Sequence, residues 1–269
     1  MSDFLSRIIE RKKEEVRAAA KWVPEGSLRR EAEKVNGRRA FSGRLAEPGP
    51  AGMNVIAEVK RASPSKGRIR DNVDPAEFAR MYEEGGAVAV SVLTDRDSFG
   101  GSPEDLKIVR AATKLPALRK DFVITPYQVY ESAAMGADAI LLIVRALSPQ
   151  LLRDLLSLCS DIGLDALVET HNEHEFEIAS QAGARLIGIN NRDLSTFDTD
   201  IATSIRVSGK AAPGQVLVAE SGIHTRSDIE RLLDVGIWNF LIGESLMRSE
   251  DPVMMLRALH GAEKGKEAR

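Results

Sequence analysis

The segment DAILLIVRALSPQLLRDLLSLCSDIGLDALVETH, residues 138–171, carries the argument for the fold. An apolar, branched run from Asp138 to Val144 ends at Ser148-Pro149, where a capping oxygen precedes a proline suited to the first turn of a helix. The following PQLLRDLLSLCSDI places Leu151, Leu152, Leu155, Leu156 and Leu158 on one side, the face a helix lays on a sheet, and Cys159 falls in the same packed stretch. Gly163 then stops the helix, because a left-handed terminal residue costs glycine nothing. The chain enters a second branched run, DALVETH. Strands joined through a helix run parallel, so this is a β-α-β unit.

Six more segments of the kind flank it after residue 50, giving eight in all: NVIAEVK (54), AVAVSVLTD (87), ALRKDF (117), DAILLIV (138), DALVETH (165), LIGINNRD (186), QVLVAES (215) and NFLIGESL (239). Their starts lie 21 to 33 residues apart, room for one helix and two short loops and too much for hairpins. Asp74-Pro75, Ser102-Pro103, Thr125-Pro126 and Asp251-Pro252 repeat the capping signal, and Gly85, Gly136, Gly183 and Gly236 repeat the stop. Eight such units close most simply into a (β/α)8 TIM barrel, which leaves no sheet edge and puts every helix outside. An open doubly wound sheet is the other arrangement; no Gly-rich dinucleotide turn follows the first strand to support it.

Residues 1–50 stand outside the repeat as a helical extension to a barrel domain over 51–269. Phe4, Leu5, Ile8, Ile9 and Val16, with charges between them, predict an amphipathic helix that plugs one end of the barrel or covers an interface. Lys and Arg number 37 against 40 Asp and Glu, so no excess of positive charge awaits nucleic acid. The one cysteine has no disulfide partner, and the N-terminus has no apolar signal region. The longest apolar run falls far short of the roughly 20 residues that span a bilayer. A cytoplasmic protein that binds no membrane is the expectation.

Chemistry in a parallel barrel gathers where the strands end. Glu58 and Lys60 share one face of the first strand by alternation, and Val59 faces the helices. Lys120 ends the third strand, Glu169 the fifth, Asn190, Asn191 and Arg192 the sixth, and Glu220 the seventh. An ordinary ion pair at the rim explains Glu58 and Lys60 alone, but two lysines and three glutamates at one height supply acid, base and an anion clamp together. Ser63, Ser221, Gly222, Gly243 and Ser245 sit in loops after the first, seventh and eighth strands, the last two being common phosphate sites in barrels. Leu93, Phe99, Phe122, Leu142 and Ile223 are candidates for an apolar slot. His171, His174, His224 and His260 form no metal set and are read as surface or capping residues, and Asn191 as a loop-turning residue.

The motifs EVKRASPSKG (58–67), SVLTD with FGGS (91–102), LRKDF (118–122), LVE (167–169), IGINNRDL (187–194), AESGI (219–223) and FLIGESLMR (240–248) resemble the indole-3-glycerol phosphate synthase family, in order and on seven of the eight strands. The resemblance implies a single-domain barrel of tryptophan biosynthesis with no metal or organic cofactor. Its small anionic substrate, 1-(o-carboxyphenylamino)-1-deoxyribulose 5-phosphate, closes an indole ring with loss of carbon dioxide and water. Lys120 is then the acid that protonates the ketone oxygen, Lys60 holds the substrate carboxylate, and Glu169 serves as acid or base in the dehydration. Glu58 and Glu220 position the lysines and Asn190 orients the substrate. Ser63, Ser221, Gly222, Gly243 and Ser245 hold the phosphate with Arg192, and Phe99, Phe122 and Leu142 flank the aromatic ring. The division of labour among the two lysines and Glu169 stays open.

Two departures stand out: Ser98 replaces an aromatic frequent before Phe99, and Trp238 is bulkier than expected. A monomer is anticipated, with contact to other enzymes of the pathway as a further expectation. The rival readings are an isomerase of a phosphoribosyl compound and a non-catalytic barrel that binds a sugar phosphate.

Overall fold

In the computed structural model residues 3–64, 66–193 and 196–261 are described; Ser65 and Leu194, both inside motifs quoted above, and the last eight residues of the expected barrel domain lie outside the described residues. Eight strands form one sheet: β1 (Asn54–Val59), β2 (Ala89–Leu93), β3 (Ala117–Lys120), β4 (Ala139–Ile143), β5 (Asp165–Thr170), β6 (Leu186–Asn190), β7 (Val216–Glu220) and β8 (Asn239–Ile242). Each pairs in parallel with its neighbours in sequence, and β1 pairs with β8, so the barrel closes. After β1 the chain makes a short antiparallel ribbon, Ala62–Ser63 against Gly67–Arg68.

Alternation divides the apolar residues into two layers. Ile56, Ala89, Leu118, Ala139, Leu141, Ile143, Leu167, Val218 and Leu241 meet inside the barrel. Val55, Val59, Val90, Val92, Ile140, Leu142, Val168, Ile187 and Phe240 pack outward against the helices. The expectation that Leu142 lines the pocket is therefore wrong: it packs outward, and its neighbours Leu141 and Ile143 face inward instead. The run Ala139–Ile143 is apolar throughout and carries no polar residue to set the phase, which is fixed by Ile143 pairing with Glu169 across β4 and β5.

The helices are α1 (Asp3–Trp22), α2 (Glu25–Lys34), α3 (Phe41–Leu45), α4 (Pro75–Glu84), α5 (Arg96–Phe99), α6 (Pro103–Ala112), α7 (Pro126–Ala134), α8 (Pro149–Asp161), α9 (Glu173–Gln181), α10 (Ala202–Ser208), α11 (Arg226–Leu233), α12 (Glu244–Arg248) and α13 (Pro252–Leu259). The Ser/Asp-Pro signals work as expected at α4, α6, α8 and α13, where Asp74, Ser102, Ser148 and Asp251 accept from backbone N–H groups of the first turn. Thr125 makes no such cap; the Gln128 side chain folds back to accept from Ile124 N instead. Gly85 does not take the left-handed conformation, which falls to Gly86; a Cβ at Gly85 would lie 2.6 Å from Leu256, so it serves the close approach of α13. On α8, Leu152, Leu155 and Cys159 are buried and Leu151, Leu156 and Leu158 half-buried.

The N-terminal extension closes both ends. Phe41 and Leu45 of α3 are fully buried in the inner core at the start of the strands, where Asn239 and Trp238 donate to Leu45 O and Ser42 bonds the Asp165 carboxylate. That contact gives the bulky Trp238 its place. Helix α1 lies at the opposite end: Leu5 and Ile9 pack on Ile124, and the buried Lys12 ammonium reaches Asp95 at 2.9 Å and Asp121 at 3.0 Å, just beyond β2 and β3. Burial works against both charges, but Arg119 and Lys12 hold Asp121 down at about 2, and Asp121 and Asp95 keep Lys12 protonated. Ser98, where an aromatic was anticipated, accepts from Arg11 of α1.

Truncating Leu142 to Ala should cost roughly 2–5 kcal/mol of stability by leaving a cavity under the helices. Urea unfolding measures the loss, and the Michaelis constant of the variant should stay at the native value.

Candidate active site

The inner faces of the strands bring the expected residues together where the strands end. Glu58 and Lys60, two apart on β1 and just past it, form a pair at 2.8 Å. Lys120 ends β3, and its ammonium lies 3.0 Å from Glu169 Oε2 and 3.4 Å from Glu220 Oε2. Asn190 pairs with Glu220 across β6 and β7. Side chains this large fit because two positions beside them have none: a Cβ on Gly188 would lie 2.1 Å from Glu220 Oε1, and one on Gly243 would lie 2.5 Å from Glu58 Oε1.

Three glutamates share two lysines, so one carboxylate is in excess. Glu169 carries its charge: burial opposes it, but Lys120, His171 and hydrogen bonds from Lys120 and Asn190 prevail and bring it to about 2. Glu220 is the deepest, 1% exposed, and its burial, with the charges of Glu169 and Glu58, outweighs Lys120 and pushes it up to about 8. For Lys120 the three carboxylates overcome a larger burial penalty than any one of them and raise its pKa. At neutral pH Lys120 and Glu169 thus face one another as ions, while Glu220 beside them keeps its proton.

Ser63, Arg192, Ser221, Gly222, Gly243 and Ser245 line the same pocket. Ser221 and Gly222 are both left-handed, which for Ser221 is a strained conformation held by its surroundings. Asn191 supplies part of that hold. Rather than only turning a loop, it is buried, donates to Ser221 O and accepts from the Ser204 hydroxyl and amide, tying the loop after β7 to α10. The Arg192 guanidinium donates to Phe197 O, and Ser245 Oγ lies 3.0 Å from His224 Nδ1.

Leu93, Phe99, Phe122 and Ile223 form an apolar wall, with the Phe99 and Phe122 rings stacked at 6.3 Å. Leu141 and Ile143 complete it in place of Leu142. Phe4 of α1 and Phe197, in edge contact at 5.7 Å, also line the pocket; nothing local in the sequence marks either. His171 is not at the surface: its side chain is buried beside Glu169, a position that alternation two residues past Glu169 already suggests. His174 and His224 are exposed. No helix among the described residues is long and apolar enough to cross a membrane.

A closed (β/α)8 barrel whose strand ends bring half-buried lysines, buried glutamates and several serines and glycines to one pocket defines a class: barrel enzymes that apply acid–base chemistry to a small anionic substrate. The family model for indole-3-glycerol phosphate synthase matches residues 5–259. The chain is 56% identical over 262 residues to indole-3-glycerol phosphate synthase of Syntrophobacter fumaroxidans, covering 97% of this chain and 99% of that one. It is 54% identical to the enzyme of the same name from Desulfosudis oleivorans, covering 96% and 99%. This chain belongs to the indole-3-glycerol phosphate synthase family. Among solved structures, 3-hexulose-6-phosphate synthase superposes with a TM-score of 0.62 at 12% identity over 78% of this chain and 99% of that one, a likeness of fold alone.

The Glu220 proton has a consequence for pH. Above about 8 it is lost, the cluster becomes net negative and an anionic substrate is repelled, so kcat/KM should fall as pH rises through that value. Glu220→Gln, permanently neutral, should lack this alkaline limb in a pH–rate profile.

Proposed function

We propose that this chain is an indole-3-glycerol phosphate synthase. It converts 1-(o-carboxyphenylamino)-1-deoxyribulose 5-phosphate to indole-3-glycerol phosphate with loss of carbon dioxide and water, in tryptophan biosynthesis. The observation that carries the reading is Lys120, protonated inside the barrel between Glu169 and Glu220 and facing the same pocket as the Lys60–Glu58 pair.

Lys60 and Arg192 in one pocket match a substrate with two anionic ends, and the apolar wall between Phe99, Phe122, Leu141 and Ile143 suits its flat ring. The phosphate lies against Ser63, Ser221, Gly222, Gly243 and Ser245 beside Arg192. Lys60 takes the substrate carboxylate, exchanging Glu58 for it, and so sets the ring carbon against the ketone. As that carbon attacks, Lys120 protonates the ketone oxygen; a buried ammonium flanked by carboxylates is oriented for the transfer without solvent rearrangement. Carbon dioxide departs, its electron pair restores the ring, and loss of water completes the indole. Glu169 is the base of that last step, Glu220 keeps Lys120 in place, and Asn190 orients both Glu169 and the substrate.

The reading also has the protein act in the cytoplasm as a monomer, with contacts to other enzymes of the pathway. The Cys159 thiol, buried and pushed up to about 12, suits a reducing compartment. Among the described residues the exposed large apolar side chains are Trp22 and Val23 at the end of α1, Ile108 of α6 and Met254 of α13.

Lys120→Ala and Glu169→Gln should each lower turnover by about 10²-fold or more, the share of a positioned acid or base, while inorganic phosphate still binds. Steady-state kinetics with phosphate inhibition checks both. A native rate in either variant removes that residue from the mechanism.

A further inference from the structure

The buried face of α1 runs through Leu5, Ile8 and Ile9 and ends, one turn after Ile8, in Lys12. The three apolar residues are what a helix covering a barrel end needs. Lys12 is a different case: its side chain is buried, and an ammonium group stripped of water is stable only beside fixed partners of opposite charge. Helix docking alone does not call for it, because a well-packed apolar side chain holds a buried position as well as an ion pair does. What an ammonium adds is direction.

Its three N–H groups have three carboxylates: Asp95 Oδ2 at 2.9 Å, Asp121 Oδ1 at 3.0 Å and, on its own helix, Glu15 Oε2 at 2.7 Å. Asp95 and Asp121 belong to different loops. Asp95 follows β2 and caps α5, its Oδ1 accepting from Ser98 N, and α5 ends in Phe99. Asp121 follows Lys120 at the end of β3, and the oxygen that Lys12 bonds also accepts from Phe122 N. The rings of Phe99 and Phe122 are the two that stack in the pocket wall. Arg11 bonds Asp95 and Ser98, on the α5 side. Lys12 bonds both sides at once.

Ring contact does not fix this wall by itself. Aromatic pairs are favourable over centroid distances of about 4.5–7 Å, so stacking alone leaves the two rings free to shift. Bonds from one nitrogen to the aspartate beside each ring remove that freedom, and a charge-assisted bond is short and directional. We infer that Lys12 is a positioning residue of the aromatic wall: bonded to Asp95 and Asp121 together, it sets Phe99 against Phe122 for the ring end of the substrate. The inference rests on the reaction proposed above, which lays an aminobenzoate ring on that wall. Phe4 and Leu5 of the same helix line the pocket, and Lys12 lies behind it and acts through the two aspartates. The phosphate loops after β7 and β8 stand across the barrel from β3, so the two ends of the substrate should respond differently to its loss.

Lys12→Met keeps the apolar stem, and Arg11 and Arg119 still neutralise Asp95 and Asp121. In the full chain it should raise the dissociation constant of 2-aminobenzoate, the ring end of the substrate, by about tenfold or more, the scale on which a displaced positioning group costs, and KM with it. The inhibition constant of inorganic phosphate should stay within about twofold, as for independent sites, and Lys12→Met should add less than about twofold to the 2-aminobenzoate loss of Phe99→Ala, where the wall is already incomplete. Asp95→Asn keeps an acceptor for the α5 cap but lacks the charge that holds Lys12. It should weaken 2-aminobenzoate in the same way, and it carries the test if Lys12→Met does not fold.

Native 2-aminobenzoate binding and KM in Lys12→Met or in Asp95→Asn overturns the inference. So does an equal loss of 2-aminobenzoate and phosphate, the mark of a generally loosened fold, or an undiminished effect of Lys12→Met on top of Phe99→Ala, which places its action elsewhere. Turnover of the native chain reports on the reaction itself, so failure of the positioning role and failure of the proposed function are read separately.

Discussion

Burying three carboxyl groups against two half-buried ammonium groups at one end of a closed sheet is the constraint on which the rest of the site depends. An isolated ion moved into such an interior costs several kcal/mol, and only close partners repay it. Each charge in the cluster therefore has a neighbour of opposite sign, and the surplus acid, Glu220, keeps its proton. The pairing also fixes geometry. Lys120 has little freedom once Glu169 and Glu220 hold it, and the glycines at 188 and 243 are required by the volume of the acids beside them.

The same constraint accounts for the extension before the barrel. A sheet closed around an apolar interior has two open ends, and water at either would weaken the pairing inside. Phe41 and Leu45 fill the end where the strands begin. At the other end α1 is tied down by Lys12 through Asp95 and Asp121, which places Phe4 and Leu5 on the pocket. A helix that looks from its own sequence like a structural cover thus forms part of the substrate wall. Outside the sheet, Arg119 faces away from the cluster and bonds Glu131, Ser132 and Asp121, so adjacent residues of β3 serve separate charge networks.

Much of this is written locally. Alternation is enough to put Glu58 and Lys60 on one inner face, and the β-α spacing is enough to close the barrel. It fails where a strand is apolar on both faces, as at Leu142, because the phase of an all-apolar run is decided by its partners. Phe4, Phe197 and the Lys12 anchor join residues from distant parts of the chain, and no local pattern records such contacts. His171 is an intermediate case: the two-residue step from Glu169 points it inward, but its composition class suggests a surface residue. The left-handed Ser221 and the Asn191 tie that supports it emerge only in three dimensions.

The central claim is that this charge cluster closes an indole ring. Its most direct test is the purified native chain mixed with 1-(o-carboxyphenylamino)-1-deoxyribulose 5-phosphate in EDTA, with indoleglycerol phosphate followed by its fluorescence. The account predicts product at a rate proportional to protein concentration. Binding of the substrate without product would mean a barrel that holds the sugar phosphate but lacks the chemistry, and absence of both binding and product would contradict the ligand itself.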